Sequence, residues 1–259
     1  MEKKTGKNIV IITGASSGIG QEFAIQLDRI LHKTDELWLI ARRKERLTEF
    51  SKLLDIPIKV IAMDVTNEND MIAFKKILEV EDAAVRMLIN CAGFGLMGSF
   101  DRLDIEEQTA MLDVNCKALT RITHYCIPYM RKNSRIIQLA SSAAFLPQES
   151  FAVYAATKSY VLSFSRALRE ELKEKSIWVT AVCPGPVDTE FFDIAEKYGR
   201  TLSIKKLTLV SPQRVVKKAL VDSYSKKAVS VCSLPIMGFR ILAKYIPHGW
   251  ILTALHLVK

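Results

Sequence analysis

An apolar run, Ile9-Val10-Ile11-Ile12, passes directly into Thr13-Gly14-Ala15-Ser16-Ser17-Gly18-Ile19-Gly20, and a helical pattern starts within that turn. Glycine is needed where a Cβ would block a tight turn, a bound group or the approach of a helix to a sheet. A helix opening on such a turn offers free backbone N–H groups and the positive end of its dipole, a combination suited to a pyrophosphate. A glycine-containing βα loop without any ligand would look similar, so the setting of the turn decides between the two.

That setting is an alternation of strands and helices. Short runs rich in Val, Ile and Leu at 8–13, 37–41, 58–63, 87–90, 135–140, 178–183 and 229–231 read as strands buried on both faces. Amphipathic segments intervene at 19–32, 44–54, 68–79, 105–131, 153–175 and 212–225. The order predicts an α/β fold, a doubly wound parallel sheet of Rossmann type with about seven strands and helices on both faces, its ligand at the carboxyl ends of the strands. A length of 259 residues with no repeat and no low-complexity linker is read as one domain, 1–259. Within it, 191–210 is the expected substrate lid and 234–259 an apolar C-terminal extension.

Further motifs succeed the turn in a fixed order: Asp64-Val65 after the third strand, Asn90-Cys91-Ala92-Gly93 after the fourth, Asn115 in the next helical segment, Ser141 at the end of the fifth strand, Tyr154-Ala155-Ala156-Thr157-Lys158, and Pro184-Gly185-Pro186-Val187-Asp188-Thr189. The T-G-x-x-x-G-x-G spacing and this succession resemble the short-chain dehydrogenase/reductase family over about residues 8 to 195. The resemblance implies that Gly14, Ser16, Ser17, Gly18, Ile19 and Gly20 hold a dinucleotide, that Asp64 and Val65 contact its adenine, and that Asn90, Ala92 and Gly93 support the sheet and line the cofactor. It likewise assigns Pro184, Gly185, Val187 and Thr189 to the carboxamide end of a nicotinamide, and a homodimer or homotetramer to the assembly. Read without the family, Asp64 is a loop cap and Asn115 a tolerated polar residue in a helix.

Cofactor choice is read from the end of the second strand. An acid there would bond the ribose 2′-hydroxyl of NAD. Here the position is Ala41, followed by Arg42 and Arg43, which can bind a 2′-phosphate, with Ser16 adding a hydrogen bond. NADP(H) is therefore the expected cofactor, although two arginines opening a helix are more often surface charge.

The chemistry is read from Tyr154 and Lys158, four apart and so on one helical face. A phenol of reference pKa near ~10 must be lowered by roughly 3 units to act at neutral pH, and a nearby ammonium together with the cation of an oxidised nicotinamide favours the phenolate. Ser141 lies 13 residues before Tyr154, the family's usual separation, whereas Ser142 is the weaker candidate. The resemblance gives Ser141 the substrate oxygen, Tyr154 the proton, Lys158 both the tyrosine and the nicotinamide ribose, and Asn115 a water chain to the lysine. The expected reaction moves a hydride between NADP(H) and a small carbonyl/alcohol substrate. Two alternatives stand beside it: a non-catalytic NADP(H)-sensing or partner-binding protein, and an extended sugar-nucleotide epimerase or dehydratase, for which little chain remains after Pro184-Gly185.

Five scattered cysteines without C-x-x-C spacing, and four histidines (His32, His124, His248, His256) without ligand spacing, point to no metal site and to a reducing, cytoplasmic setting. No secretion signal or spanning helix is expected. Residues 197–259 carry twelve Lys and Arg against Asp222 alone, while the first 196 residues are net acidic by two charges. That asymmetry argues against a nucleic-acid-binding protein and leaves the C-terminal quarter to face something anionic. Phe191, Phe192, Ile194, Tyr198, Leu202 and Leu207 in the lid point to an apolar or lipid-like substrate, and equally to ordinary packing. The segment 234–252 is read three ways: a cover for the pocket, a subunit contact, or a peripheral membrane contact.

Overall fold

The computed structural model describes residues 7–31, 36–81, 83–199 and 209–257. His32 and the lid residues Leu202 and Leu207 lie outside them. The chain alternates as expected: β1 Asn8–Thr13, α1 Gly18–Ile30, β2 Glu36–Ala41, α2 Lys44–Ser51, β3 Ile58–Ala62, α3 Glu68–Glu81 and β4 Ala84–Asn90 form the first half. The second half holds α4 Ile105–Leu112, α5 Leu119–Cys126, β5 Met130–Leu139, α6 Ala152–Glu171, β6 Trp178–Val182, α7 Phe191–Ala195, α8 Pro212–Tyr224, β7 Val229–Ser230, α9 Leu234–Tyr245 and α10 His248–Leu257. The seven strands pair in parallel in the order β3-β2-β1-β4-β5-β6-β7.

The two-residue period of the strands builds two cores, one on each side of the sheet. Val10 and Ile12 of β1, with Leu37 and Leu39 of β2, face Phe23, Ala24 and Leu27 of α1 and Val215, Val216 and Ala219 of α8. Their neighbours Ile9, Ile11, Trp38 and Ile40 face Met71, Phe74 and Leu78 of α3, Ile122 of α5 and Leu168 of α6. Burying each such side chain contributes about 1.5–3 kcal/mol, which is why the strands read as unbroken apolar runs.

One expectation is corrected. The segment 105–131, expected as a single helix, is broken: α4 passes into a π turn over Asp113–Ala118, α5 resumes, a 3-10 turn spans Ile127–Tyr129, and Met130 already belongs to β5. The wider turn adds a residue per revolution and so rotates the side chains beyond it about the helix axis. It carries Asn115 inward to full burial.

Under β4 and β5 lies a buried polar triangle. Asn90 Nδ2 donates to Thr123 Oγ1 at 3.0 Å and to Gln138 Oε1 at 2.9 Å, Gln138 Nε2 donates to Thr123 Oγ1 at 3.0 Å, and that hydroxyl donates to Leu119 O at 2.7 Å. Thr123 thus ties α5 to two strands. Thr123→Val keeps the shape but removes the acceptor for two buried amides, so a stability loss of about 1–3 kcal/mol is expected in urea unfolding. An unchanged unfolding midpoint would contradict this account.

Candidate active site

At the carboxyl ends of β1 and β4, crossovers leave the sheet in opposite directions and a cleft opens between them. Gly14 turns there with φ +67°, and a Cβ on it would lie 2.8–2.9 Å from the backbone of Cys91 and Ala92. Thr13 Oγ1 fastens the two loops by accepting from Cys91 N at 3.2 Å and Ala92 N at 3.1 Å. A Cβ on Gly20 would strike the carbonyl oxygen of Gly14, so α1 can start only where it does. No side chain caps the N-terminus of α1, and its first turn holds no acid, so that end is left open to an anion.

The cleft encloses about 1720 Å³ and is lined by residues from the glycine turn to α10. That exceeds the about 300–1,000 Å³ usual for one drug-sized ligand, leaving room for a dinucleotide and a second molecule. Of the residues singled out from the sequence, Gly14, Ser16, Ser17, Gly18, Ile19, Gly20, Arg42, Arg43, Asp64, Val65, Ala92, Gly93, Ser141, Tyr154, Lys158, Pro184, Gly185, Val187 and Thr189 line it. Asn90 and Asn115 do not line it; they hold its wall from behind.

Asn115 does so by clamping the loop after β4. Its Oδ1 accepts from Phe94 N at 3.1 Å, and its Nδ2 donates to Phe94 O at 2.9 Å and to Thr157 Oγ1 on α6 at 3.0 Å. The clamp works because Gly93 has no side chain: a Cβ there would lie 2.8 Å from Asn115 Oδ1 and 3.4 Å from Lys158 Nζ.

Lys158 is buried and donates from Nζ to Leu139 O, at the end of β5, at 2.8 Å. Burial disfavours its charge and brings the ammonium pKa down to about 8. Tyr154, one turn earlier on α6, stacks on Phe151 with ring centroids 4.2 Å apart and leans on Phe191 of α7 at 5.5 Å. Burial pushes the phenol up to about 12, and a hydrogen bond with Ser141 opposes it. Lys158 Nζ stands 5.6 Å from the Tyr154 ring centroid. Ser141 itself opens a 3-10 turn over Ser142–Phe145, its Oγ accepting from Ala143 N at 3.1 Å.

At the opposite end of the cleft, Arg43 donates to Ser16 Oγ at 3.1 Å, Ser17 Oγ at 3.0 Å and Glu190 Oε2 at 3.3 Å. Arg46, one helical turn on, donates to Glu190 Oε1 at 2.8 Å. The two guanidiniums, Arg46 foremost, hold the Glu190 carboxyl below its ordinary pKa. Arg42 is largely exposed and only 4.0 Å from Asp64. Asp64 accepts from Thr66 N at 2.9 Å and Thr66 Oγ1 at 2.7 Å, so it caps its loop while facing the cleft.

Arg46, Glu190 and Gly95 were not among the residues singled out from the sequence. Arg46 had a signal, its place in the first turn of the helix that Arg42 and Arg43 lead into. Glu190 had none, since its partners lie 144 and 147 residues away. Gly95 matters because a Cβ on it would lie 2.5 Å from Tyr154 Cδ2.

Of 191–210, the expected lid, residues 191–199 and 209–210 are described. Met97 N donates to Ala195 O at 2.8 Å, Lys197 Nζ donates to Glu107 at 2.8 Å, and a bridge joins Val187 to Val210. Residues 234–257 form two helices that reach the cleft: Ile236 packs on Gly185, and Phe239 and Phe145 have ring centroids 6.4 Å apart. Among the described residues no helix is long and apolar enough to cross a membrane.

Comparison with known proteins identifies the family. Residues 8–198 match the family model described as short chain dehydrogenase. An "uncharacterized oxidoreductase" of Staphylococcus epidermidis is 32% identical over 188 residues, 72% of this chain and 80% of that protein. A short-chain dehydrogenase from Sphingobium yanoikuyae, solved in complex with NADPH, superimposes with a TM-score of 0.77 at 29% identity, covering 93% of this chain and 96% of that one. A short-chain dehydrogenase/reductase from Burkholderia phymatum, solved with NAD, gives a TM-score of 0.79 over 93% of this chain and 94% of that one; at 20% identity it speaks for the fold alone.

Burial of Lys158 has a consequence for stability. An unfolded chain keeps this proton up to the ordinary 10.5, whereas the folded protein releases it near 8. Between those values the unfolded state carries more protons, so this residue makes stability rise with pH; below pH 8 its unfavourable effect is present in full. The wild-type protein is therefore expected to gain stability relative to Lys158→Met as pH rises from about 8 to 10. Parallel unfolding curves for the two proteins across that range would refute the buried-ammonium account.

Proposed function

Because the chain belongs to the short-chain dehydrogenase family, we propose that it is an NADP(H)-dependent oxidoreductase acting on a carbonyl/alcohol pair, with an apolar or lipid-like substrate. The observation carrying this reading is the convergence of Ser141, Tyr154 and Lys158 on one cleft that Arg42 and Arg43 also line, with Arg46 paired to Glu190 beside them. A sensing or partner-binding protein would have no use for Ser141, Tyr154 and Lys158 together, and that alternative is not favoured.

The cleft suits a dinucleotide on its own terms. Gly14 and Gly20 leave no Cβ in the turn, the N-terminus of α1 is uncapped, and Ser16 and Ser17 face Arg43. The arginines, with the two hydroxyls, form a cradle for a 2′-phosphate, in which Glu190 holds the place of the anion. Thr189, against Gly18, and the backbone of residues 184–187 border the other end, where the nicotinamide ring would lie.

When bound, the nicotinamide supplies or accepts the hydride. The side chains handle the substrate oxygen and its proton. Ser141 orients that oxygen with its hydroxyl, and Tyr154 donates the proton to it in reduction or removes it in oxidation. A phenol held near 12 is a reluctant acid, so its proton transfer depends on positive charge drawn close to it. Lys158 is the protein's own source of that charge, fixed in direction by Leu139 O. Apolar walls from Phe145, Phe151, Phe191 and Phe192 exclude water and favour an apolar substrate.

Tyr154→Phe is expected to abolish nearly all NADPH oxidation with a panel of ketones and aldehydes, while NADPH affinity stays within a few-fold. Retained turnover would remove Tyr154 from the chemistry. Cofactor choice should fail separately. Losing a charge-assisted hydrogen bond costs ~1.5–3 kcal/mol, so Arg43→Ala should weaken NADPH binding roughly tenfold or more and leave NADH binding almost unchanged. Titration in which wild-type protein prefers NADH would overturn the NADP(H) assignment.

A further inference from the structure

The structure divides α9 into two apolar faces of different fate. Ile236, Phe239 and Ala243 turn inward, onto Gly185, Phe145 and the body of the domain. Leu234, Met237, Ile241 and Tyr245, at intervals of three and four residues, make a stripe on the opposite side that is exposed throughout, Leu234 at 81% and Tyr245 at 74%. Trp250 on α10, 74% exposed, continues the surface, and the two helices are joined by a contact of His248 Nε2 with Ala243 O at 2.9 Å. Arg240 and Lys244 flank the stripe, both exposed, and no acidic residue follows Asp222 in the chain. A soluble surface rarely leaves so many large apolar side chains contiguous.

We propose that this outer face of α9 and α10 docks on an anionic lipid bilayer surface, lying in the plane of the interface. Charge selects this occupant. A second copy of the chain meeting this face with the same face would bring Arg240 and Lys244 toward further cations, with no acidic residue after Asp222 to meet them. Anionic headgroups complement the same cations, while the stripe enters the acyl boundary and the Trp and Tyr rings sit at headgroup level. The inner side of these helices borders the cleft through Ile236, Phe239, His248 and Leu252, so docking sets the cleft beside the bilayer. For an apolar substrate that is the side from which it would arrive, a consequence resting on the hydride-transfer reading. The docking does not rest on it, and vesicle binding can fail or succeed independently of turnover.

Trp250 reports on the contact directly, since Trp38 is fully buried and Trp178 lies under Arg169 and Lys226. Full-length protein at low salt is mixed with vesicles of phosphatidylcholine alone or of phosphatidylcholine with phosphatidylglycerol. We expect cosedimentation and a blue shift of tryptophan emission with the mixed vesicles, both diminished by salt. Arg240→Gln together with Lys244→Gln should lower partitioning roughly thirtyfold, as each basic residue near such a surface contributes about 1 kcal/mol. Tyr245→Glu with Trp250→Glu should abolish it, at unchanged thermal unfolding because both side chains are exposed. Failure of the wild-type protein to bind mixed vesicles at low salt overturns the proposal, as does binding that both double variants retain. Self-association removed by Tyr245→Glu with Trp250→Glu, without vesicle binding, would assign the face to a second copy.

Discussion

The closeness of two backbones at the centre of the sheet governs the rest of the molecule. Gly14 lies against Cys91 and Ala92 with no space for a Cβ, and the Thr13 hydroxyl accepts from both of those N–H groups. β1 and β4 are hydrogen-bonded neighbours, yet the chain leaves them toward opposite edges of the sheet. Their ends are therefore at once pinned together and open above, and Ser141, Tyr154 and Lys158 stand on the wall of that opening with Asn115 behind it. Were the loops a residue further apart, α1 would no longer begin beneath the cleft, and Gly93 would not bring Asn115 and Lys158 into one wall.

Burial then decides the chemistry of the wall. Lys158 is driven toward its neutral form and Tyr154 away from its charged form by the same scarcity of water. The nearby thiols of Cys91 and Cys183 are pushed up to about 12, so they remain neutral small packing groups and do not compete as counterions. What steadies the lysine is a carbonyl, Leu139 O, which carries no charge to neutralise it. A site assembled in this way sacrifices stability for a tyrosine and an ammonium that respond strongly to any charge entering the cleft.

Two elements far apart in the chain close the ends of that cleft. Glu190, at the entrance to α7, binds Arg43 and Arg46 at the head of α2, so the segment leading into α7 is tied to the cations of the second strand's loop. Such exposed pairs contribute little to stability on their own. Their effect lies in position, because they hold the arginines beside Ser16 and Ser17 before any anion arrives. The same bonds make Glu190 a competitor for those cations.

The parallel sheet, the glycine turn and the order of motifs were legible in the sequence because each rests on local rules: a two-residue period, a helical period, and φ angles that glycine alone adopts freely. The helical face shared by Tyr154 and Lys158 was legible for the same reason. The break of 105–131 was not, since a π turn keeps helical composition while shifting which side chain points inward, and only the packing of Asn115 against Phe94 and Thr157 reveals it. Nor could spacing tell that burial would raise the Tyr154 phenol, or that Glu190 would meet arginines some 144 residues away. By itself, then, the sequence determined the sheet, its turn and the identity of the chemical groups, which depend on neighbours along the chain. Tertiary structure alone decided their ionisation, their long-range partners and which face of the C-terminal helices stays bare, because these depend on water excluded and charges approached through the whole fold.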